Sequence, residues 1–140
     1  MKVSVIGPGA IGCLFAGRLA KCGIHTILVD YKPQRVASLK TSGLTVESNS
    51  EKFVVATECV STVPEEQDLI IVCVKSYNTS NLSLPSDTPI LTLQNGLNNV
   101  ETLCSKVSSS KVLAGVTTES ATLLANGHVR HINSGVTRVG

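Results

Sequence analysis

A chain of 140 residues has the length of one domain, and a domain of that size buries about 68–70% of its unfolded surface, so a hydrophobic core is within reach. Aliphatic side chains dominate, aromatics make up 3% and Trp is absent, which favours buried parallel strands under helices over a sandwich or a small ligand-gripping barrel. The net charge of +2 comes from scattered basic residues, which argues against nucleic acid as a partner.

Lys2–Ile6 (KVSVI) is short and β-branched and stops at Gly7, so it reads as a strand. Ala10–Lys21 sets Ile11, Leu14, Phe15 and Leu19 at helical spacing before Gly23, which predicts a helix. Thr26–Asp30 (TILVD) predicts a second strand. Pro33–Thr41 has Pro in its first turn and stops before Gly43, which predicts a second helix. A β-α-β-α order in so short a span points to a parallel sheet with crossover helices. Leu44–Val46 and Phe53–Ala56 flank the polar run Ser48–Lys52 and predict a hairpin. Asp68–Lys75 (DLIIVCVK) is an apolar run suited to a central strand buried on both faces. Pro89–Leu93 predicts another strand, Gly96–Val107 a helix and Lys111–Ala114 a short strand. Thr118–Leu124 and His128–Asn133 are extended segments on either side of Asn126-Gly127, a type I′ hairpin signal. No repeat, low-complexity segment or linker divides the chain. The expected fold class is α/β, a doubly wound, mostly parallel sheet with a C-terminal β-hairpin extension.

The five cysteines (Cys13, Cys22, Cys59, Cys73, Cys104) are odd in number and form no CxxC pair. Buried reduced thiols in a cytoplasmic protein are expected rather than disulfides or a metal site. Met1-Lys2 is too short for the basic start of a signal peptide. No apolar run approaches the roughly 18 residues of a membrane helix, so no membrane partner is expected. His25, His128 and His131 lack zinc-ligand spacing, and Glu119 and Ser120 have no base nearby in sequence that would make a nucleophile.

Gly7-Pro8-Gly9-Ala10-Ile11-Gly12 is G-x-G-x-x-G, and it leaves a strand and opens a helix inside a βαβ unit. Each glycine has a physical reason. Gly7 permits the tight turn, Gly9 lets backbone approach a pyrophosphate, and Gly12 lets the helix pack closely on the strand. Free amides and the positive dipole end of the helix then face the phosphates. The bland alternative is a glycine-rich turn that binds nothing. In this context the loop predicts a Rossmann-type dinucleotide site.

Asp30, at the end of the second strand, is placed to accept hydrogen bonds from an adenosine ribose, which favours NAD. Lys32 and Arg35 follow closely and are able to pair with a 2′-phosphate, which favours NADP; the alternative is ordinary solvated charge. The residues leave NAD and NADP both open. Lys75 and Asn95 each end an apolar strand at the sheet edge where open α/β sheets bind ligands. Lys75 otherwise caps a strand with a charge, and Asn95 is otherwise a turn residue or helix cap.

In this order, VIGPGAIG, VCVKSYNT, LQNGLNNVETL and LAGVTTESATLLANGHVRHINSGVTRVG resemble the amino-terminal domain of the ketopantoate reductase (2-dehydropantoate 2-reductase) family, over essentially the whole chain. The resemblance implies that Gly7, Pro8, Gly9, Ala10, Ile11 and Gly12 hold the cofactor pyrophosphate. It implies that Lys75 lies beside the cofactor ribose and phosphates, that Asn95 contacts cofactor and substrate, and that the Ala121 backbone lies near the nicotinamide. It also implies NADPH-dependent reduction of ketopantoate, a small 2-keto acid, to pantoate, on the way to pantothenate and coenzyme A. Many members carry an arginine for the 2′-phosphate after the second strand; this chain has Asp30-Tyr31-Lys32. The family's second, helical domain supplies the general-acid lysine and a substrate-binding carboxylate. The expectation is therefore one dinucleotide-binding domain over residues 1–140, without that helical domain, that binds cofactor and has negligible reductase activity by itself. A homodimer is compatible with these expectations. A non-catalytic nucleotide-binding or regulatory module, and a β-hydroxyacid or opine-type dehydrogenase domain, are the alternative functions.

Overall fold

The computed structural model describes residues 1–140. In chain order the elements are β1 (Lys2–Ile6), α1 (Ala10–Lys21), β2 (His25–Val29), α2 (Pro33–Ser42), β3 (Leu44–Glu47), β4 (Lys52–Val55), β5 (Glu58–Val60), β6 (Leu69–Val72), β7 (Ile90–Thr92), α3 (Asn99–Cys104), β8 (Val112–Thr117), β9 (Ser120–Ala125), β10 (His128–Asn133) and β11 (Thr137–Val139). Short 3-10 turns cover Ser76–Asn81 and Ser109–Lys111.

Seven strands form the main sheet in the order β11-β8-β7-β6-β1-β2-β5. All neighbours in it are parallel except β11, which runs antiparallel to β8 at the edge. From β1 the chain builds outward through β2 to β5, then crosses to β6 and builds the other way. The order reverses between β1 and β6, and the crevice outside the carboxyl ends of these two strands is where open α/β sheets take ligands. A second, four-stranded sheet has the order β4-β3-β10-β9. The β3–β4 and β9–β10 hairpins join in it through a parallel pairing that sets Val129 opposite Val46.

Both faces of the main sheet are buried at its central parallel strands β7, β6, β1 and β2, whereas β8 and β11 are largely exposed. On one face Val3, Val5, Leu28 and Ile71 pack with Leu14, Leu39, Leu44 and Val129. On the other, Ile6, Val29, Ile70, Val72 and Ile90 pack with Leu103 and Val107. The first face explains the small residues of α1. A Cβ at Gly17 would sit 2.4 Å from Val46 Cγ2, so the helix lies hard against the second sheet as well as the first. Ser4 is the polar exception inside β1, and its hydroxyl donates to Gln67 Oε1 at 2.9 Å.

Several boundaries depart from the sequence reading. The apolar run 68–75 is a strand only over Leu69–Val72. Beyond it the chain bends under the glycine loop, and the Cys73 amide still donates to Ile6 O at 2.8 Å. The helix expected over 96–107 is only Asn99–Cys104, because Gly96 (φ +101) and Asn98 (φ +64) hold a left-handed loop ahead of it. The strand expected over 111–114 runs on to Thr117, lengthened by pairing with β11. β5 and β11 were not foreseen: each is a three-residue edge strand with little pattern of its own, formed because a neighbour offers a ladder. The Asn126-Gly127 turn is not type I′. That turn needs φ > 0 at both central residues, and only Gly127 has it, at +72. Asn126 instead donates its side-chain amide to Arg35 O at 3.2 Å, and a bulge follows between His128 and Val129.

Candidate dinucleotide site at the β1–β6 switch point

The turn after β1 begins at Gly7, whose φ of +95 suits glycine and whose amide donates to Val29 O at 3.0 Å. A Cβ there would lie 2.8 Å from Val74, so the loop also packs against the end of β6. At Gly12 a Cβ would lie 2.1 Å from Gly7 O, which brings the first turn of α1 directly onto the loop. Gly9 is the opposite case. It is exposed, and a Cβ there would meet nothing within 4 Å. The first helical hydrogen bond runs from the Cys13 amide to Gly9 O at 2.9 Å. The amides of Ala10, Ile11 and Gly12 therefore precede it and are free to donate. No acidic residue occupies the first turn of α1 to compete for them. An anion brought to this loop finds donors, a favourable dipole and room.

The loop opens into a cleft of about 760 Å³, within the range of small-molecule sites. Gly7, Pro8, Gly9, Asp30, Lys32, Arg35 and Lys75 all line it. Val63, Leu82 and Leu84 give one wall an apolar surface, and Tyr31 and Tyr77 add aromatic rings. None of these five was singled out by the sequence, because Val63, Leu82 and Leu84 come from irregular segments with no motif and the two tyrosines sit in quoted runs with no role attached to them. Ala10, Ile11 and Gly12 lie behind the loop in the first turn of α1. Asn95 and Ala121 are not among the cleft-lining residues.

Asp30 is 2% exposed, just past the end of β2. Arg35 Nη2 donates to its Oδ1 at 2.8 Å, Arg35 Nε lies against Oδ2, and the Lys32 amide donates to Oδ1 at 3.1 Å. The hydrogen bond to Asp30 holds the Arg35 guanidinium above its already high ordinary pKa. Asp30 and Arg35, expected as separate candidates, are thus one ion pair. Lys32 and Lys75 are exposed at the rim. Lys75 does not end a strand, as expected, but precedes the 3-10 turn at Ser76–Asn81, where its carbonyl accepts from the Asn78 amide at 2.9 Å.

Asn95 is exposed at the same sheet edge, and Asn98 rather than Asn95 stands at the helix start. Its loop is braced from below. Gln94 Nε2 donates to Val74 O and to Thr79 Oγ1, both at 2.8 Å. The buried Asn99 donates to Asn95 O at 3.1 Å and to Gly96 O at 3.2 Å. Gln94 escaped notice because its partners are distant in sequence, and Asn99 because its bonds to Asn95 O and Gly96 O depend on the left-handed loop between them. Burial pushes the thiols of Cys13 and Cys73 up to about 12 and that of Cys59 up to about 11, which leaves all three poor nucleophiles.

This loop, strand order and cleft coincide with a match to the family described as Ketopantoate reductase PanE/ApbA, over residues 3–140. The chain belongs to the ketopantoate reductase family. The 2-dehydropantoate 2-reductase of Halobacterium salinarum is 34% identical over 148 residues, covering 100% of this chain and 49% of that protein. The protein of the same name from Archaeoglobus fulgidus is 35% identical, over 99% of this chain and 47% of that one. This ketopantoate reductase family chain thus spans about half the length of the relatives it matches. Among solved structures, a PanE/ApbA family ketopantoate reductase from Ralstonia eutropha matches with a TM-score of 0.86 at 32% identity, covering 99% of this chain and 49% of that one. A ternary structure of D-mandelate dehydrogenase with NADH and anilino(oxo)acetate matches with a TM-score of 0.91 at 26% identity, over 99% of this chain and 48% of that one. The chain is thus an α/β, NAD(P)-binding amino-terminal region of this oxidoreductase family.

Proposed function

We propose that residues 1–140 are the cofactor-binding domain of a ketopantoate reductase-like enzyme, which reduces 2-dehydropantoate to pantoate with NADPH in the cytoplasm. The observation that carries this reading is the contrast within the glycine loop. Gly7 and Gly12 are closed by neighbours, whereas Gly9 opens onto the cleft beside three unbonded amides. A bound nicotinamide would supply a hydride to the ketone carbon of the 2-keto acid. The chain's own residues bind and orient it. Ala10, Ile11 and Gly12 donate amides to the pyrophosphate while Gly7, Pro8 and Gly9 shape its bed. Lys75 sits beside the ribose and phosphates, Asn95 touches cofactor and substrate, and the Ala121 backbone lies by the nicotinamide.

The cofactor is NADPH on the strength of Lys32, an exposed cation on the cleft wall, with Arg35 beside it held by Asp30. Asp30 keeps NADH as the second reading, because a buried carboxylate at the end of β2 suits ribose hydroxyls. The general-acid lysine and the substrate-binding carboxylate come from the helical half that the longer relatives' size accommodates. Val116 and Val139 are exposed on opposite faces of the β8–β11 ladder, with Val136 exposed just ahead of it, so this edge is open to burial against such a half. By itself the chain binds cofactor and reduces ketopantoate negligibly, since hydride transfer needs an acid at the developing alkoxide and a site closed to water. Paired fluorescence titrations with NADPH and NADH test the proposal. Saturable binding of at least one is expected, with tighter binding of NADPH. No binding of either, in fluorescence or calorimetry, overturns it.

A further inference from the structure

Away from the cleft, three polar side chains from three elements meet in a partly buried ring. Arg18 comes from the third turn of α1, Glu119 from the junction between β8 and β9, and His131 from β10. Arg18 Nη1 donates to Glu119 Oε1 at 3.0 Å, and His131 Nε2 lies 2.6 Å from Glu119 Oε2. Arg18 Nη2 lies 3.1 Å from His131 Nδ1. A carboxylate only accepts and a guanidinium only donates. Nε2–H of His131 therefore donates to Glu119, and Nδ1 accepts from Arg18. The side chains of Glu119 and His131 are only 11% and 9% exposed, so the contact between them is shielded from water, whereas Arg18 is 42% exposed. Burial alone would push the Glu119 carboxyl up, but hydrogen bonds from Arg18 and His131 outweigh it and hold the group below the usual carboxylate range. A Cβ on Gly135 would lie 2.3 Å from the Thr118 carbonyl carbon, so the β10–β11 loop also presses on this junction.

The ring's connections give it a consequence for the site. β8 runs parallel to β7, so Glu119 follows β8 at the same sheet edge as the glycine loop. His131 pairs across the β9–β10 ladder with Ala121. Arg18 belongs to the helix whose first turn carries Ala10, Ile11 and Gly12. We propose that Arg18, Glu119 and His131 form a positioning clamp that fixes Ala121, at the nicotinamide end of the site, relative to the pyrophosphate-binding turn of α1. This rests on the dinucleotide reading given above. None of the three lines the cleft, so each acts through the backbone it holds. The adenosine end is built from the glycine loop and the Asp30–Arg35 pair, which do not use this ring.

Two ligand pairs on this chain test the clamp by calorimetry: NADPH with 2′-phospho-ADP-ribose, and NADH with ADP-ribose. The shorter member of each pair lacks only the nicotinamide. In Glu119→Gln the amide turns a donor toward a ring that needs an acceptor. The dinucleotide should lose on the order of tenfold in affinity and its ADP-ribose counterpart less than about twofold. Arg18→Lys keeps the charge and loses the second N–H, so it should show the same asymmetry in smaller measure, and it serves if Glu119→Gln does not fold. Equal losses within a pair, or no loss in either member, overturn the clamp. If the unaltered chain binds neither member of either pair, the dinucleotide reading itself fails. The two failures are therefore distinct.

Discussion

On the proposed reading, nucleotide binding turns on Gly9. Its missing side chain faces open cleft, so Gly9→Val should leave the melting temperature nearly unchanged and abolish cofactor binding in calorimetry. Retained affinity would mean that the pyrophosphate does not rest there. On the proposed reading, Asp30 carries the cofactor preference. Removing it frees Arg35, which stays part-exposed and hydrated, to meet a 2′-phosphate. Asp30→Ala should therefore raise the ratio of NADPH to NADH affinity, read from paired titrations; a constant ratio would place Asp30 away from the adenosine ribose. At this scale the sequence pointed to Asp30, Lys32 and Arg35 but not to their relation. The ion pair depends on the turn from β2 into α2, which brings a side chain five residues on back over the strand end.

α1 is the element that joins structure to site. It lies between the two sheets, and Gly12, Ala16 and Gly17 keep it thin enough to fit. Gly17→Val would drive a branched side chain into Val46, and about 1–3 kcal/mol of stability should be lost in urea unfolding. A smaller loss would mean that β3 shifts easily away from the helix. The helical period of Ala10–Lys21 was plain in the sequence, because an amphipathic pattern is written in neighbouring residues. That α1 is covered on its second side was not. The covering sheet is assembled from β3–β4 and β9–β10, segments about eighty residues apart along the chain.

Across the whole molecule, Glu47 records how those segments are locked. It lies on β3, and His128 and Arg130 on β10 reach it at 2.7 Å each, with Lys52 of β4 at 3.4 Å. Hydrogen bonds from His128 first, then Arg130, lower its pKa from an ordinary 4.5 to about 2. A carboxylate whose pKa falls on folding contributes stability above its unfolded value and loses it as pH drops through the folded one. The contribution should thus be complete above pH 4.5 and disappear toward pH 2. Acid-unfolding curves of the unaltered chain and Glu47→Gln should accordingly differ by a constant amount above that window and converge within it. A separation that persists to pH 2 would exclude this titration.

The glycine loop, the strand–helix alternation and the buried central strand were legible residue by residue, because local spacing and backbone freedom dictate them. The same holds for the family resemblance, which follows short runs in a set order. Only the tertiary structure decided that the two hairpins share a sheet, that β5 and β11 add edges, that Lys75 leaves its strand, and that Arg18, Glu119 and His131 meet. Each of these comes from contacts between residues distant along the chain, where an ion pair, a ladder or a covered face exists only once the segments have been brought together.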